Sequence, residues 1–423
     1  MDGNVTGGPS RLVRRERVCH DDRDVRPVVA FVTHSAQPSG AELFVLRVVR
    51  AVERVRPLVV LGEHGPLERD LRAAGVDTVV VPLTSGVRAH TGRSRPGVLT
   101  LARHVVDVIA VAVRVAMLLR RRGVGLVTTH SAKAHVYGAL AARLARTPVL
   151  AHVHSVVGTR RDAGRNARLL RAALRVLPHG LVANSAATAR SVRPPASRPV
   201  SIVPCPVALP RPVDDAPRRS APHRPVFVLV GRIARGKGQD VVLRALARGR
   251  ATGGLDGACV RLVGSALFPD DVAHEGELRD LVTRLDLEDV VEFVGQVDDV
   301  AAELARATAA LHASVEPEGF AQVVVEAMAS SCPVIATAAG GPAELVSDGV
   351  DGLLVVPGDP DTLAAAMTRV ASDPGLRARL AAAGRETAQR YDIDRVVDAL
   401  ETVLLGALPP RAASERPDVR NCR

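Results

Sequence analysis

The stretch Glu316-Pro317-Glu318-Gly319-Phe320-Ala321-Gln322, continuing through Val323-Val324-Val325 to Glu326-Ala327-Met328-Ala329, decides how this chain is read. The run Ala309–Ala313 before it is short and apolar, as a buried strand is, and Gln322–Ser330 has helical spacing. The chain therefore passes from strand to helix across this loop, and Gly319 lets another backbone approach closely. Unpaired N–H groups and the positive end of the dipole make a helix N-terminus an anion site. Glu318 lies in the loop, and Glu326, about one turn into the helix, faces the same mouth. Two acids so placed can accept hydrogen bonds from vicinal sugar hydroxyls. Carboxylates near a helix N-terminus are also favourable with no ligand at all.

Outward from this segment, strand-like and helix-like runs alternate along the chain. In the first half, strands are expected at Val28–Thr33, Leu58–Leu61, Thr78–Val81, Gly125–Thr129, Val149–His154, Gly180–Ala183 and Ser201–Val203. Helices are expected at Ala41–Val55, Leu67–Ala74, Pro96–Arg122, Ala134–Leu144 and Asn166–Leu177. Seven prolines between Pro204 and Pro225 interrupt the pattern, which restarts at Val226. The second half has strands at Val226–Val230, Ala258–Val263, Val291–Phe293, Ala309–Ala313, Pro333–Thr337 and Gly352–Val356. Its helices are Gln239–Ala247, Glu275–Leu285, Val300–Ala307, Gln322–Ser330, a short one from Pro342 and those filling Pro360–Arg390. Such alternation means an α/β fold of two doubly wound, Rossmann-like domains with a cleft between them at the carboxyl ends of the strands. The expected divisions are a disordered segment 1–26, a first domain 27–207, a linker 208–225 and a second domain 226–390. A helix in 391–406 would cross back to the first domain, and a disordered tail would fill 407–423.

The 423 residues are 47% apolar, enough for two cores, but only 2% aromatic, with no Trp. Val, Leu and Ala must build those cores, as in parallel sheets covered by helices. Nucleic-acid binding by base stacking is excluded on the same count. Net charge is +11, split between +20 before residue 212 and −9 from there on. The first half should attract anions; its arginines fit either genomic base composition or an anionic membrane or lipid-phosphate partner. Cys19, Cys205, Cys259, Cys332 and Cys422 are scattered and odd in number, with no CxxC, which argues against a disulfide framework or a zinc site and fits a reducing compartment. The N-terminus lacks the apolar core of a secretory signal. The run Val105–Leu119, ending in Arg120, Arg121 and Arg122, allows two readings: a buried helix with a basic end, or a helix lying on an anionic membrane.

The chain resembles glycosyltransferase family 4, whose members have the two-domain GT-B fold and retain anomeric configuration, generally without a metal. The matching residues are Pro317-Glu318-Gly319-Phe320, Glu326-Ala327-Met328-Ala329, Pro333-Val334-Ile335-Ala336-Thr337, Gly340-Gly341, Glu344, Gly349, Gly352 and Asp359-Pro360. The likeness extends more loosely over Pro27–Leu405. It implies a nucleoside-diphosphate sugar as donor, no cofactor, and a sugar or lipid-linked acceptor. The setting it implies is cell-envelope polysaccharide, glycolipid or glycoconjugate synthesis in the cytoplasm or on the inner face of the membrane. Glu326 would hold the nucleotide ribose and Glu318 the donor sugar, with amides near Gly319, Phe320 and Ala321 on the sugar and diphosphate. Ala321 stands where the family usually has glycine.

The second segment, Gly231-Arg232 with Lys237-Gly238, follows the strand Val226–Val230 and sets two cations beside a tight turn. That arrangement suits a diphosphate, as it suits a plain basic loop; with the resemblance it becomes the clamp for the leaving group. Gly40, in Ser39-Gly40-Ala41-Glu42, opens a helix after the first strand, where the family usually has two glycines and Ser39 takes the first place. Gly264-Ser265 and Asn184-Ser185 end strands and are expected in the cleft. His152 and His154 share a strand face, with no third ligand evident for a metal. His152 reads as a packing residue, and His154 matches a family histidine near the donor sugar. His130-Ser131 and Lys133, at another strand end, could touch either substrate. The site expected is therefore Glu318, Arg232, Lys237 and His154 for catalysis, with Glu326, Gly319, Phe320, Ala321, Gly264 and Gly40 for the donor.

Overall fold

The computed structural model describes residues 25–84, 98–159, 164–198, 200–209 and 224–409. Seven strands form the first sheet: β1 (Val28–Thr33), β2 (Arg56–Leu61), β3 (Asp77–Val80), β4 (Leu126–Thr129), β5 (Val149–Val153), β6 (Gly180–Ala183) and β7 (Val200–Ile202). Their order is β3-β2-β1-β4-β5-β6-β7, all pairs parallel. The second sheet holds β8 (Val226–Val230), β9 (Cys259–Val263), β10 (Val291–Gly295), β11 (Ala309–His312), β12 (Val334–Thr337) and β13 (Leu353–Val355). Its order is β10-β9-β8-β11-β12-β13, again parallel. Each order reverses once, between β1 and β4 and between β8 and β11. A crevice opens at such switch points because the helices on either side diverge to opposite faces.

The first-half helices are α1 (Gly40–Val49), α2 (Pro66–Ala73), α3 (Val98–Arg121), α4 (Ala132–Ala145), α5 (Arg165–Val176) and α6 (Ala186–Val192). The second half carries α7 (Gln239–Ala251), α8 (Pro269–Arg284), α9 (Val300–Arg306), α10 (Gln322–Ala329), α11 (Pro342–Leu345), α12 (Pro360–Ser372) and α13 (Pro374–Ala388). The last helix is α14 (Ile393–Gly406). The inner strands are covered, with β4, β5, β11 and β12 buried at every position, whereas the outer β3, β7 and β10 are partly exposed.

Several boundaries differ from the sequence reading. The helix begun at Gly40 stops at Val49, not Val55: the Ala51 and Val52 N–H groups turn back to the Val48 carbonyl at 2.9 Å, and Glu401 of α14 accepts from Glu53 and Arg54 N–H at 2.9 and 2.6 Å. Helix α6 went unread between β6 and β7; its signal was Ser185, whose hydroxyl accepts from Thr188 N–H. Helix α8 begins at Pro269, six residues before the expected Glu275, with proline in its first turn beside Asp270 and Asp271. The prolines from 210 to 223 and the chain ends lie outside the described residues.

Helix α14 packs on the first half of the chain. Arg54 donates to Glu401, Asp398 and the Asp398 carbonyl at 2.7–3.0 Å. Val396, Val397, Leu400 and Leu404 join one buried cluster with Phe44, Val48, Val324 and Met328, so apolar contacts run without a break from one half to the other. Helix α3 is two-faced. Val111, Val115 and Leu119 are buried against the neighbouring layer, whereas Val105, Val106, Ile109, Val113 and Met117 are 41–65% exposed. The buried-helix reading thus holds for one face only. No helix among the described residues is long and apolar enough to cross a membrane. Cys205, Cys259 and Cys332 are buried free thiols, while Cys19 and Cys422 fall outside the described residues.

Candidate functional site

Strand β8 ends in the turn carrying Arg232 and Lys237, and β11 ends in the loop carrying Glu318. Because β8 and β11 are neighbours, the two loops meet. Lys237 Nζ donates to Glu318 Oε1 at 2.8 Å. His312 Nε2 lies 3.3 Å from the same oxygen, and the Ser314 hydroxyl also bonds it. Burial alone would raise the Glu318 pKa; Lys237 and His312 outweigh it and hold the carboxyl well below the usual range. The turn tolerates no larger residue at Gly238, where φ is +77° and a Cβ would stand 1.9 Å from the Ala313 carbonyl oxygen. Gly264, at the end of β9, is pressed in the same way on the Gly231 carbonyl, where a Cβ would come within 2.1 Å.

Arg232 is placed differently. Its guanidinium donates to Asp271 at 2.8 Å and lies over the Phe268 ring, with 5.2 Å to the centroid. Lys237 and Arg232 therefore flank the turn with separate acidic partners. Glu326 has a partner of its own. It pairs across the cleft with Arg47 of α1, which also donates to Gln322 Oε1 and the Pro206 carbonyl at 3.1 Å. Gln322 completes the contact by donating to the Gly40 carbonyl at 2.7 Å. Gly40 thus lies in the contact between the halves. Arg47 and Gln322 escaped the sequence reading as site residues, since an arginine in the last turn of an ordinary helix carries no local signal of a partner 279 positions away.

Gly319 touches the opposite wall: a Cβ there would stand 2.2 Å from the His154 carbonyl oxygen and 3.0 Å from Asn184 Nδ2. Asn184 donates to that same carbonyl at 2.9 Å, which places it in the cleft as expected. Phe320 turns inward, buried and edge-on to Tyr391 at 5.5 Å, so its side chain packs and only its backbone can serve a ligand. Ala321 caps α10 with φ +64°, the left-handed region that glycine enters freely and alanine does not. Glu344 bridges the halves by accepting from Ala186 N–H at 2.9 Å and Arg190 at 2.7 Å.

The expectation that His152 and His154 lack a third neighbour is overturned. His130, from the end of β4, brings a ligand nitrogen to within 4.8 Å of theirs, and among the described residues these three form the group that could hold a metal ion. Two of those nitrogens already serve each other, His130 Nδ1 lying 3.0 Å from His154 Nε2. His152 is buried beside the Phe44 ring, as its packing reading requires. Ser131 caps α4 and bonds His34 at 2.8 Å.

Two family models match. Residues 38–211 fit "Glycosyltransferase Family 4" and residues 211–387 fit "Glycosyl transferases group 1". The chain belongs to glycosyltransferase family 4. Among curated family relatives, a D-inositol 3-phosphate glycosyltransferase of Nocardiopsis dassonvillei is 34% identical over 201 residues, 44% of each chain. A lipopolysaccharide core biosynthesis glycosyltransferase of Rhizobium meliloti is 33% identical over 176 residues, 41% of this chain and 48% of that one. These matches span under half of the relatives' length. Over 90% of the chain the fold is that of Anabaena HepE, solved with UDP and glucose: 25% identity, all of that chain covered, TM-score 0.77. A sucrose-phosphate synthase of Thermosynechococcus elongatus shares the fold at 22% identity and TM-score 0.72, with 99% of it covered. The GT-B architecture is thereby established.

Proposed function

We propose that this protein moves a hexosyl unit from a nucleoside-diphosphate sugar to an acceptor hydroxyl, with retention, in the synthesis of a cell-envelope polysaccharide, glycolipid or glycoconjugate. The observation that carries the reading is the Lys237–Glu318 pair, at 2.8 Å, at the mouth where β8 and β11 end. A sugar diphosphate needs a fixed cation for the charge that grows on its leaving oxygens and a carboxylate for its hydroxyls, and this pair supplies both. Arg232 adds a second cation on the same turn. Glu326 would meet the ribose once Arg47 yields it. In the transfer, the bond between the anomeric carbon and the diphosphate oxygen breaks as the acceptor oxygen bonds to that carbon. The departing phosphate oxygen takes the acceptor's proton, so no side-chain base is needed. His154, neutral, lines the sugar side. The relatives' complexes with UDP and UDP-glucose support a uridine nucleotide.

The open face of α3 supports a lipid-linked acceptor. Its exposed Val105, Val106, Ile109, Val113 and Met117 are flanked by exposed Arg103, Arg114, Arg120 and Arg121, the pattern of a helix resting on an anionic bilayer. The test is direct. Purified protein is offered UDP-, GDP- and ADP-sugars, and nucleotide release is followed with and without anionic vesicles. Release from one class, faster with vesicles carrying a lipid acceptor, is expected. No release or slow hydrolysis from any of them refutes the transferase reading, and failure to float with anionic vesicles refutes the membrane face.

A further inference from the structure

His130 follows β4, His152 lies in the paired strand β5 and His154 follows it, and each brings one ring nitrogen to within 4.8 Å of the others. Burial keeps all three rings neutral, so each carries one N–H and one lone pair. Their outer contacts decide which nitrogen is which. The Thr128 hydroxyl lies 2.8 Å from His130 Nε2 and 3.4 Å from the Ala30 carbonyl, which can only accept. Thr128 therefore donates to that carbonyl and accepts from His130 Nε2–H, which leaves the lone pair on Nδ1. His152 bonds the Val203 backbone in a contact that raises its pKa, so the ring donates there. Its Nε2 is then a lone pair, buried and without a hydrogen-bond partner. Metal-binding histidines are held in this way, the far N–H donating to an oxygen while the near nitrogen faces the ion. His154 completes the set. Its Nε2 lies 3.0 Å from His130 Nδ1, its Nδ1 is a second buried nitrogen without a partner, and it is the least buried of the three.

We propose that His130, His152 and His154 form a binding site for one zinc-class divalent cation, with the fourth coordination place open to water, and that the occupied site inhibits sugar transfer. Three neutral imidazoles without a carboxylate select a borderline cation such as Zn2+ over Mg2+ or Ca2+, which take oxygen ligands. Tetrahedral zinc at about 2.0–2.1 Å from each nitrogen sets its ligands about 3.3–3.4 Å apart, so the widest pair draws in by at most about 1.5 Å. The cation replaces the hydrogen bond between His130 and His154, and the His154 proton rests on the ring nitrogen that does not coordinate. The site backs the wall that the donor loop touches, since the His154 carbonyl accepts from Asn184 at 2.9 Å and stands against Gly319. Zinc inhibits because it takes His154 from the sugar side; that consequence alone rests on the transferase reading.

The full-length protein, stripped with chelator, is titrated with Co2+ and then with Zn2+. One cobalt per chain is expected, with the intense visible absorption of four-coordinate cobalt, displaced by one zinc. Zinc should raise the melting temperature of the wild type. It should bind about tenfold or more weakly to His154→Gln and to Thr128→Val, the second of which loses only the outer hydrogen bond. Melting of each variant without metal shows whether it folds, and the wild-type cobalt spectrum carries the test if one does not. Zinc should also raise the donor KM, and chelator should restore it. The inference is overturned by no binding at micromolar metal, by the weak spectrum of six-coordinate cobalt, by a thiolate-to-cobalt band that places the ion on cysteine, or by undiminished affinity in both variants. Tight zinc binding with unchanged turnover would overturn the inhibitory role. Absence of any turnover would instead sink the transferase reading, since the cobalt titration needs no donor.

Discussion

Replacing Lys237 with alanine separates a catalytic clamp from a structural strut. The ammonium lies 2.8 Å from Glu318, with the two side chains 34% and 22% exposed. At that distance the bare attraction is about 6 kcal/mol for an effective dielectric of 20. Desolvation and solvent screening at such exposure reduce the net worth of the pair to about 1 kcal/mol. Thermal unfolding of Lys237→Ala should therefore shift by only about 2–4 °C. The transition state loses more, because the cation opposes charge that develops on the diphosphate: about 3 kcal/mol, or roughly 100-fold or more in kcat. Donor turnover by coupled nucleotide release and melting by calorimetry are measured on the same preparation. Turnover within threefold of wild type would show that Lys237 does not face the leaving group. A melting loss beyond about 10 °C that tracks the activity loss would show that Lys237 chiefly holds the two loops together.

Other outcomes follow from the same geometry. Ala321→Gly relieves a left-handed alanine and should raise stability by about 1 kcal/mol in a denaturant melt; a destabilised variant would show that the methyl packs usefully. Gly319→Ala puts a Cβ 2.2 Å from the His154 carbonyl and should hold the halves apart, read as a larger radius of gyration in solution scattering and loss of turnover. Glu326→Ala should weaken nucleotide-sugar binding about tenfold by calorimetry, a loss of about 1.4 kcal/mol. Acid should destabilise the fold early. His135 and His152 are held down to about 3 by burial, so the unfolded chain binds more protons below the ordinary histidine value. Stability should therefore fall with pH from about 6.5 downward, by up to about 1.4 kcal/mol per unit for each ring. A melting temperature flat between pH 7 and 5 would contradict this. Glu318, held low, adds its own loss only further down, as pH drops through its depressed pKa.

Local chemistry made much of this protein legible in its sequence. The runs Val28–Thr33 and Val226–Val230 announce buried parallel strands because only strands covered on both faces can be apolar throughout. Glu318 and Lys237 could be named because each sits at a strand end beside a glycine, and the alternation that defines the fold sends those ends to one edge of a sheet. What the chain could not disclose is which side chains meet. Lys237 and Glu318 are 81 positions apart and Arg47 and Glu326 are 279 apart. The register of two sheets and the docking of α14 set those distances, and no short-range pattern encodes either. The tertiary structure alone paired Glu326 with Arg47, and it alone brought His130 to His154. The sequence chose the chemistry at each strand end because backbone conformation is local. The packing of one half on the other chose the pairs, because side-chain contact belongs to the folded whole.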